Sequence, residues 1–258
     1  MSLAFFDIDG TLLAKPSLER RFFHELRGQE KIPAANYFVW LAEIGRRASG
    51  HFWAAIHANK MYLRGVSAEA PFVVGKNRGD AWLPEFFPAA MQRVWWHVLR
   101  GDSIVLVSGT LAPLADMVKF ALERELLWRG VQGRVSVLAT QMEVFDGRWT
   151  GRVLGAPMFG EAKARALSDF AKARQIALLK CSAYGDSWLD RWMLAAVGRP
   201  FAINPARRLQ RLARLRGWPT LRWTHGPVRR AGQQRETKNV AKRDCRWTAL
   251  RKKDLAAR

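Results

Sequence analysis

Cysteine is almost missing from this 258-residue chain: only Cys181 and Cys245 occur. The first falls in an apolar run and the second in a basic tail, so they offer neither a disulfide framework nor a metal-ligand spacing. A reducing, cytoplasmic setting follows. No apolar run reaches the roughly 18 residues that a membrane-spanning helix needs. The opening segment, residues 1–6, is too short for a signal peptide and runs directly into acidic residues. There is no Gly-x4-Gly-Lys-Ser/Thr loop, which argues against a kinase or nucleotide triphosphatase. The five histidines, His24, His51, His57, His97 and His225, show no metal-ligand spacing and read as structural. No zinc-finger spacing or RNA-binding aromatic signature appears, so no specific nucleic-acid partner is expected. Acidic residues are scarce: 22 against 43 lysines and arginines, a formal charge of +21. Such a surface attracts anions without saying which.

Apolar residues make up 49% of the chain, enough for a proper core, and tryptophan is plentiful at 12 copies. The charge is uneven, since residues 225–258 hold 11 basic and 3 acidic side chains. That stretch is poorly patterned and reads as a disordered tail. Before it, strand and helix signals alternate. Residues 3–8 form a short apolar run ending in an acidic, glycine-containing turn. Residues 103–107 read as a second strand, with Ser108-Gly109-Thr110 turning into a helix that runs to about Leu127. Strands are also expected at residues 135–139, 176–184 and 201–203, with a helix over 161–173. Asp146-Gly147 between alternating residues marks a hairpin. Residues 15–100 interrupt this text with helical patterns, among them residues 52–63. The expected fold is α/β: a Rossmann-like parallel sheet core over residues 1–14 and 101–224, an inserted α-helical cap over 15–100, and the basic tail over 225–258.

Ligands of open parallel sheets bind outside the carboxyl ends of the strands. Three expected strands end in Asp7-Ile8-Asp9-Gly10-Thr11, Ser108-Gly109-Thr110 and Gly185-Asp186-Ser187-Trp188-Leu189-Asp190. If these strands are neighbours, Asp7, Asp9, Asp186 and Asp190 share one crevice. Four carboxylates held together repel one another unless a cation neutralises them, and a hard, oxygen-seeking Mg²⁺ suits them. Such a site suits phosphoryl transfer. One carboxylate can form an aspartyl-phosphate, and the acid two residues on can protonate the leaving oxygen and then activate water. The hydroxyl and N–H groups of Ser108, Gly109 and Thr110 can hold phosphate oxygens. Lys163, near the start of its helix, is the best-placed cation for the developing charge, whereas Arg165 should face elsewhere.

These segments resemble the haloacid dehalogenase superfamily, and within it the phosphoserine-phosphatase-like branch with a helical cap after the first strand. Phe6-Asp7-Ile8-Asp9-Gly10-Thr11-Leu12, Val105-Leu106-Val107-Ser108-Gly109-Thr110, Gly160-Glu161-Ala162-Lys163 and Tyr184-Gly185-Asp186-Ser187 with Asp190 match its four motifs in order. The resemblance covers roughly residues 4–223. It implies that Asp7 is nucleophile and metal ligand, that Asp9 is acid/base and lends its backbone carbonyl to the metal, that Ser108 and Lys163 hold the phosphoryl group, that Asp186 binds the metal, and that Asp190 supports it. Trp188, Arg191 and Trp192 are bulkier than, or differ from, what is common in the branch. The acidic and arginine cap residues that would recognise a serine-like substrate are not identifiable.

Lys60 and Arg64, four residues apart in the insert, read chiefly as a solvated helix face, with a grip on an anionic substrate as the sharper alternative. Trp40, Trp53, Trp95 and Trp96 are expected to pack the insert. The leading expectation is therefore a Mg²⁺-dependent phosphomonoester hydrolase acting on a small organophosphate or a phospholipid head group, with peripheral contact to an anionic membrane as an option. The alternative is an anion- or nucleic-acid-binding protein with a vestigial phosphatase core.

Overall fold

The computed structural model describes residues 2–47, 59–78, 82 and 85–224. A six-stranded sheet, β1 (Leu3–Phe6), β2 (Ser103–Leu111), β3 (Val135–Thr140), β6 (Ser182–Gly185), β7 (Arg199–Ile203) and β8 (Thr220–Leu221), lies in the order β3-β2-β1-β6-β7-β8. Every adjacent pair is parallel. β1 is buried along its whole length, which is what an apolar run covered on both faces requires. Its side chains alternate between two cores. Ala4 and Phe6 join the larger cluster, while Leu3 and Phe5 join the smaller one on the opposite face.

The larger face is covered by α1 (Leu18–Gly28), α3 (Ala70–Arg78), α4 (Pro88–Leu99) and α5 (Ala112–Trp128). These helices contribute Phe22, Val74, Val94 and Val118, among others, to its cluster. α2 (Ala34–Arg47) lends Tyr37 and Trp40 to its rim. α6 (Glu161–Lys172), α7 (Arg191–Ala196) and α8 (Arg207–Leu215) cover the other face through Leu167, Met193 and Leu209. The expected hairpin is present as β4 (Met142–Phe145) and β5 (Arg148–Val153). Its turn places Asp146 at φ 49° and Gly147 at φ 67°, the left-handed pair such a turn needs. Buried Trp149 of β5 meets Phe22 edge-on, tying the hairpin to α1.

Several sequence expectations need correction. β2 continues to Leu111 with a register irregularity after Ser108, so Ser108-Gly109-Thr110 belongs to the strand and α5 begins only at Ala112. The apolar run 176–184 is not one strand. A 3-10 turn, Leu178–Lys180, occupies its middle, and pairing begins at Ser182. Of the helical pattern over 52–63, residues 52–58 lie outside the described residues, and Met61–Leu63 is a single 3-10 turn. Lys60 and Arg64 flank that turn rather than sharing a helix face, and Lys60 is buried. Trp40 packs on the large cluster, but Trp95 and Trp96 are each 39% exposed. Trp53, His51, His57, His225, Cys245 and the expected tail all fall outside the described residues.

Aromatic rings bind the central strands together. Phe6 stacks on Tyr184 at 4.3 Å, and Tyr184 stacks on Phe201 at 4.8 Å, so β1, β6 and β7 share a row of rings. His97 of α4 joins this row, with Nε2 2.8 Å from the Tyr184 hydroxyl and Nδ1 2.9 Å from Asp102 Oδ2.

Candidate active site

The strand order makes β2, β1 and β6 neighbours, so the three polar strand ends meet at one edge. Asp7 follows β1 directly, and its N–H donates to the carbonyl of Tyr184 on β6. Phe6 lies opposite Leu106 in register, which sets Ser108 beside the exit of β1. Asp186 follows β6, and a 3-10 turn, Trp188–Asp190, returns Asp190 to the same place. Ser187 secures that return: its N–H and hydroxyl donate to Asp190 Oδ2 at 2.9 and 2.7 Å. Oxygens of Asp7, Asp186 and Asp190 all lie within 4.8 Å of one another, and all three residues are buried.

Lys163, in the first turn of α6, enters this cluster from the opposite face. Its Nζ is 2.5 Å from Asp7 Oδ1 and 2.7 Å from Asp190 Oδ1. Burial opposes its charge, but Asp190 and Asp7 outweigh burial and hold the ammonium well above the ordinary lysine range. Arg165 faces away as expected, paired at the surface with Glu161.

Asp9 behaves differently from the other three. Its carboxylate is turned toward the insert, where Oδ1 accepts the N–H of Leu18 at 2.9 Å at the start of α1. Burial raises its pKa to about 6, against the lowering effect of that hydrogen bond. Its side chain is not among the three clustered carboxylates, so only its backbone carbonyl remains as its expected metal donor.

Gly10 has φ 93°, and a Cβ there would come 2.4 Å from Asp186 Oδ2. Gly109 is equally restricted, because a Cβ would strike the ring of Phe159 at 1.9 Å. Ser108 is buried with its Oγ accepting the Thr110 N–H at 3.2 Å, and the buried Thr110 hydroxyl oxygen has no hydrogen-bond partner.

The charge balance tests the expected cation. Three clustered carboxylates face two ammonium groups, Lys163 and Lys15, the latter 2.7 Å from Asp186 Oδ2. Burial, with repulsion from Asp190 and Asp186, pushes Asp7 well above the usual carboxylate range despite Lys163. Burial and Asp190 likewise raise Asp186 to about 6. Asp190 alone is held low, since Lys163 and Ser187 overcome its burial. The protein therefore gathers more negative charge than its own cations stabilise, and the donors are all hard oxygens. This is the donor set that Mg²⁺ prefers.

Two residues facing this region escaped the sequence. Glu19 adjoins Leu18 and accepts from Lys60 Nζ and, at 2.7 Å, from the Tyr62 hydroxyl. Lys15 carried no motif signal. Glu19 was readable only as part of a helix start, because its partners lie 41 and 43 residues away.

A family model described as haloacid dehalogenase-like hydrolase matches residues 4–195. A probable phosphatase of Mycobacterium tuberculosis is 31% identical over 224 residues, covering 84% of this chain and 74% of that protein. A phosphoserine phosphatase of the same organism is 29% identical over 228 residues, covering 83% and 68%. Among solved structures, a protein of unknown function from Bordetella pertussis Tohama I superposes with a TM-score of 0.62 at 27% identity, covering 85% of this chain and 97% of its own. With its sheet order, its ordered motifs and these matches, the chain belongs to the haloacid dehalogenase-like hydrolase family, as a hydrolase of the phosphoserine-phosphatase-like branch.

Proposed function

We propose that this phosphatase is a Mg²⁺-dependent phosphomonoester hydrolase that works through an aspartyl-phosphate on Asp7 and acts on a small phosphorylated metabolite. One observation carries the reading: a buried carboxylate at the end of the central strand, 2.5 Å from a lysine ammonium, with a second carboxylate two residues on held apart by the N–H of Leu18. When bound by Asp7, Asp186 and Asp190, Mg²⁺ would screen the repulsion between the anionic nucleophile and the anionic substrate.

The protein's own groups divide the remaining work. Asp7 attacks phosphorus and the bond to the alcohol oxygen breaks, while Asp9 gives that oxygen its proton. Water then attacks the same phosphorus, Asp9 takes the proton back, and Asp7 is released with inorganic phosphate. Lys163 and the Ser108–Thr110 strand end hold the phosphoryl oxygens through both steps. The helical insert covers the site and selects the alcohol. The clustering of Asp7, Asp186 and Asp190 around Lys163 supports the phosphatase reading over the vestigial-core alternative. Nothing among the described residues favours a lipid head group over a soluble ester, and no described helix is long and apolar enough to cross a membrane.

The test is hydrolysis of p-nitrophenyl phosphate with Mg²⁺ and with EDTA, by wild type and Asp7→Asn. Turnover by wild type with Mg²⁺ alone, together with acid-stable or borohydride-trapped label on Asp7, supports the reading. Undiminished turnover by Asp7→Asn would sink it.

A further inference from the structure

The last residue of β3 is Thr140, which is 1% exposed. It stands where β2 loses register. Ser108 pairs with Ala139 and Leu111 with Thr140, so Gly109 and Thr110 fall between two adjacent pairs and leave the ladder. Backbone groups released from a ladder inside a protein need other partners. The Thr140 side chain supplies one, since its hydroxyl donates to the Gly109 carbonyl at 2.8 Å.

The same peptide unit is gripped at its other end. The Thr110 N–H points opposite to the Gly109 carbonyl in a planar trans peptide, and it donates to Ser108 Oγ at 3.2 Å. A serine oxygen that accepts still has its own proton to give. Thr140 thus fixes a peptide plane, and the plane fixes the Ser108 hydroxyl with its proton left for an anionic oxygen.

Thr140 also reaches the element that carries the lysine. Its Oγ1 accepts the Met158 N–H at 3.2 Å. The next residue, Phe159, accepts the Ala162 N–H at 3.1 Å in the first turn of α6. Lys163 follows, with Nζ on Asp7 and Asp190. One hydroxyl, its proton and a lone pair both in use, therefore joins the end of β2 to the start of α6.

Resting on the proposed phosphatase activity, we infer that Thr140 is a positioning residue that sets Ser108 and Lys163 at one spacing, so that both meet the same phosphoryl group. It acts only through the Gly109–Thr110 peptide and Met158. A threonine that merely packed the edge of the sheet would contribute stability and nothing to phosphate recognition.

The experiment uses the intact enzyme with Mg²⁺ and two readouts. One is kcat/KM on p-nitrophenyl phosphate. The other is the dissociation constant of inorganic phosphate, followed as a rise in melting temperature. Thr140→Val keeps the shape of the side chain and loses both bonds. It should lower kcat/KM by about tenfold to a hundredfold, the scale of a misplacement made at a distance. It should weaken phosphate by about fivefold, the scale of one hydrogen bond. Thr140→Ser, which keeps the hydroxyl, should recover most of both. Thr150→Val on β5 loses a matching pair of bonds, to Glu143 at 2.6 Å and from the Arg152 N–H at 3.3 Å, and should change neither readout. If Thr140→Val does not melt cooperatively, Thr140→Ala takes its place against Thr140→Ser. Wild-type values without the hydroxyl overturn the inference, and so does an equal loss in the serine variant. A wild type that binds phosphate but hydrolyses nothing overturns the phosphatase reading, and phosphate binding alone then decides Thr140. A wild type that does neither overturns both.

Discussion

The ammonium of Lys15 lies 2.7 Å from Oδ2 of Asp186, so an exposed lysine from the start of the insert occupies a carboxylate oxygen that the proposed cation would share. The lysine side chain is 66% exposed, which caps the pair at about 1 kcal/mol.

Lys15→Met should therefore tighten Mg²⁺ binding. Freed of a competitor worth up to about 1 kcal/mol, Asp186 should bind the ion up to about fivefold better. Mg²⁺ titration followed by the rise in melting temperature measures this directly. A half-saturating concentration that is unchanged, or higher, in the variant would show that Lys15 does not compete.

Asp7→Asn should lower turnover by at least about a thousandfold, since an amide is a poor nucleophile. In EDTA its melting temperature should equal or exceed that of wild type, because the substitution removes a buried charge that Asp190 and Asp186 repel. Lys163 keeps its bond to Asp190 in that variant. A large fall in melting temperature would mean that the Asp7–Lys163 pair is a structural requirement.

Asp9→Asn should slow substrates in proportion to the basicity of their alcohol. General acid assistance contributes roughly 10² to 10⁴ for poor leaving groups and little for aryl phosphates. A loss that is uniform across leaving groups would reduce Asp9 to its hydrogen bond with Leu18.

His97 and Asp102 should make the fold sensitive to acid. Burial lowers the His97 pKa below its ordinary 6.5, against the pull of Asp102. The unfolded imidazole then takes up a proton that the folded one refuses, so this stability is present above about pH 6.5 and is lost below it. Asp102, held down to about 2 against its own burial by the bonds from His97 and Ser2, adds a second loss as pH falls from 3.8 through 2. Asp9 and Asp186, raised to about 6, act in the opposite direction. The His97 contribution is accordingly the difference between wild type and His97→Gln. That difference in melting temperature should shrink between pH 7 and 5 in EDTA, and a constant difference would contradict it.

Gly198→Ala should destabilise the sheet by about 3 kcal/mol, near the upper end for overpacking. A Cβ there would lie 1.9 Å from the backbone oxygen of Leu179, which no rotamer can move. Gly45→Ala, in α2 with nothing within 4 Å, should instead stabilise by about 1 kcal/mol. Urea unfolding of both variants checks the contrast.

The sequence was most legible where chemistry sits at strand ends. Asp7, Ser108, Asp186 and Asp190 lie at or just past the ends of short apolar runs that parallel pairing makes neighbours, and Lys163 reaches Asp7 and Asp190 from a helix start. It was least legible in the insert. The spacing of Lys60 and Arg64 imitates a helix face, but Asn59 captures the Met61 N–H and the chain reverses at Gly65, at φ 77°. The bond from Lys60 to Glu19 that buries this lysine spans 41 residues, beyond the reach of any local pattern. Residues 176–184 were misread for a related reason. Their apolar character serves packing beneath the sheet, and the backbone bond from Gly198 to Leu178 holds the turn that replaces the strand.

The row of rings through Phe6, Tyr184 and Phe201 gives the active site a floor that acts as one plate. Phe6 precedes the nucleophile, and Tyr184 stands two residues before Asp186, so displacing either carboxylate means unstacking its neighbour in the core. The ring row thus couples the position of both carboxylates to the packing of β1, β6 and β7, so a substitution at Phe6, Tyr184 or Phe201 should be felt at the strand ends it never touches.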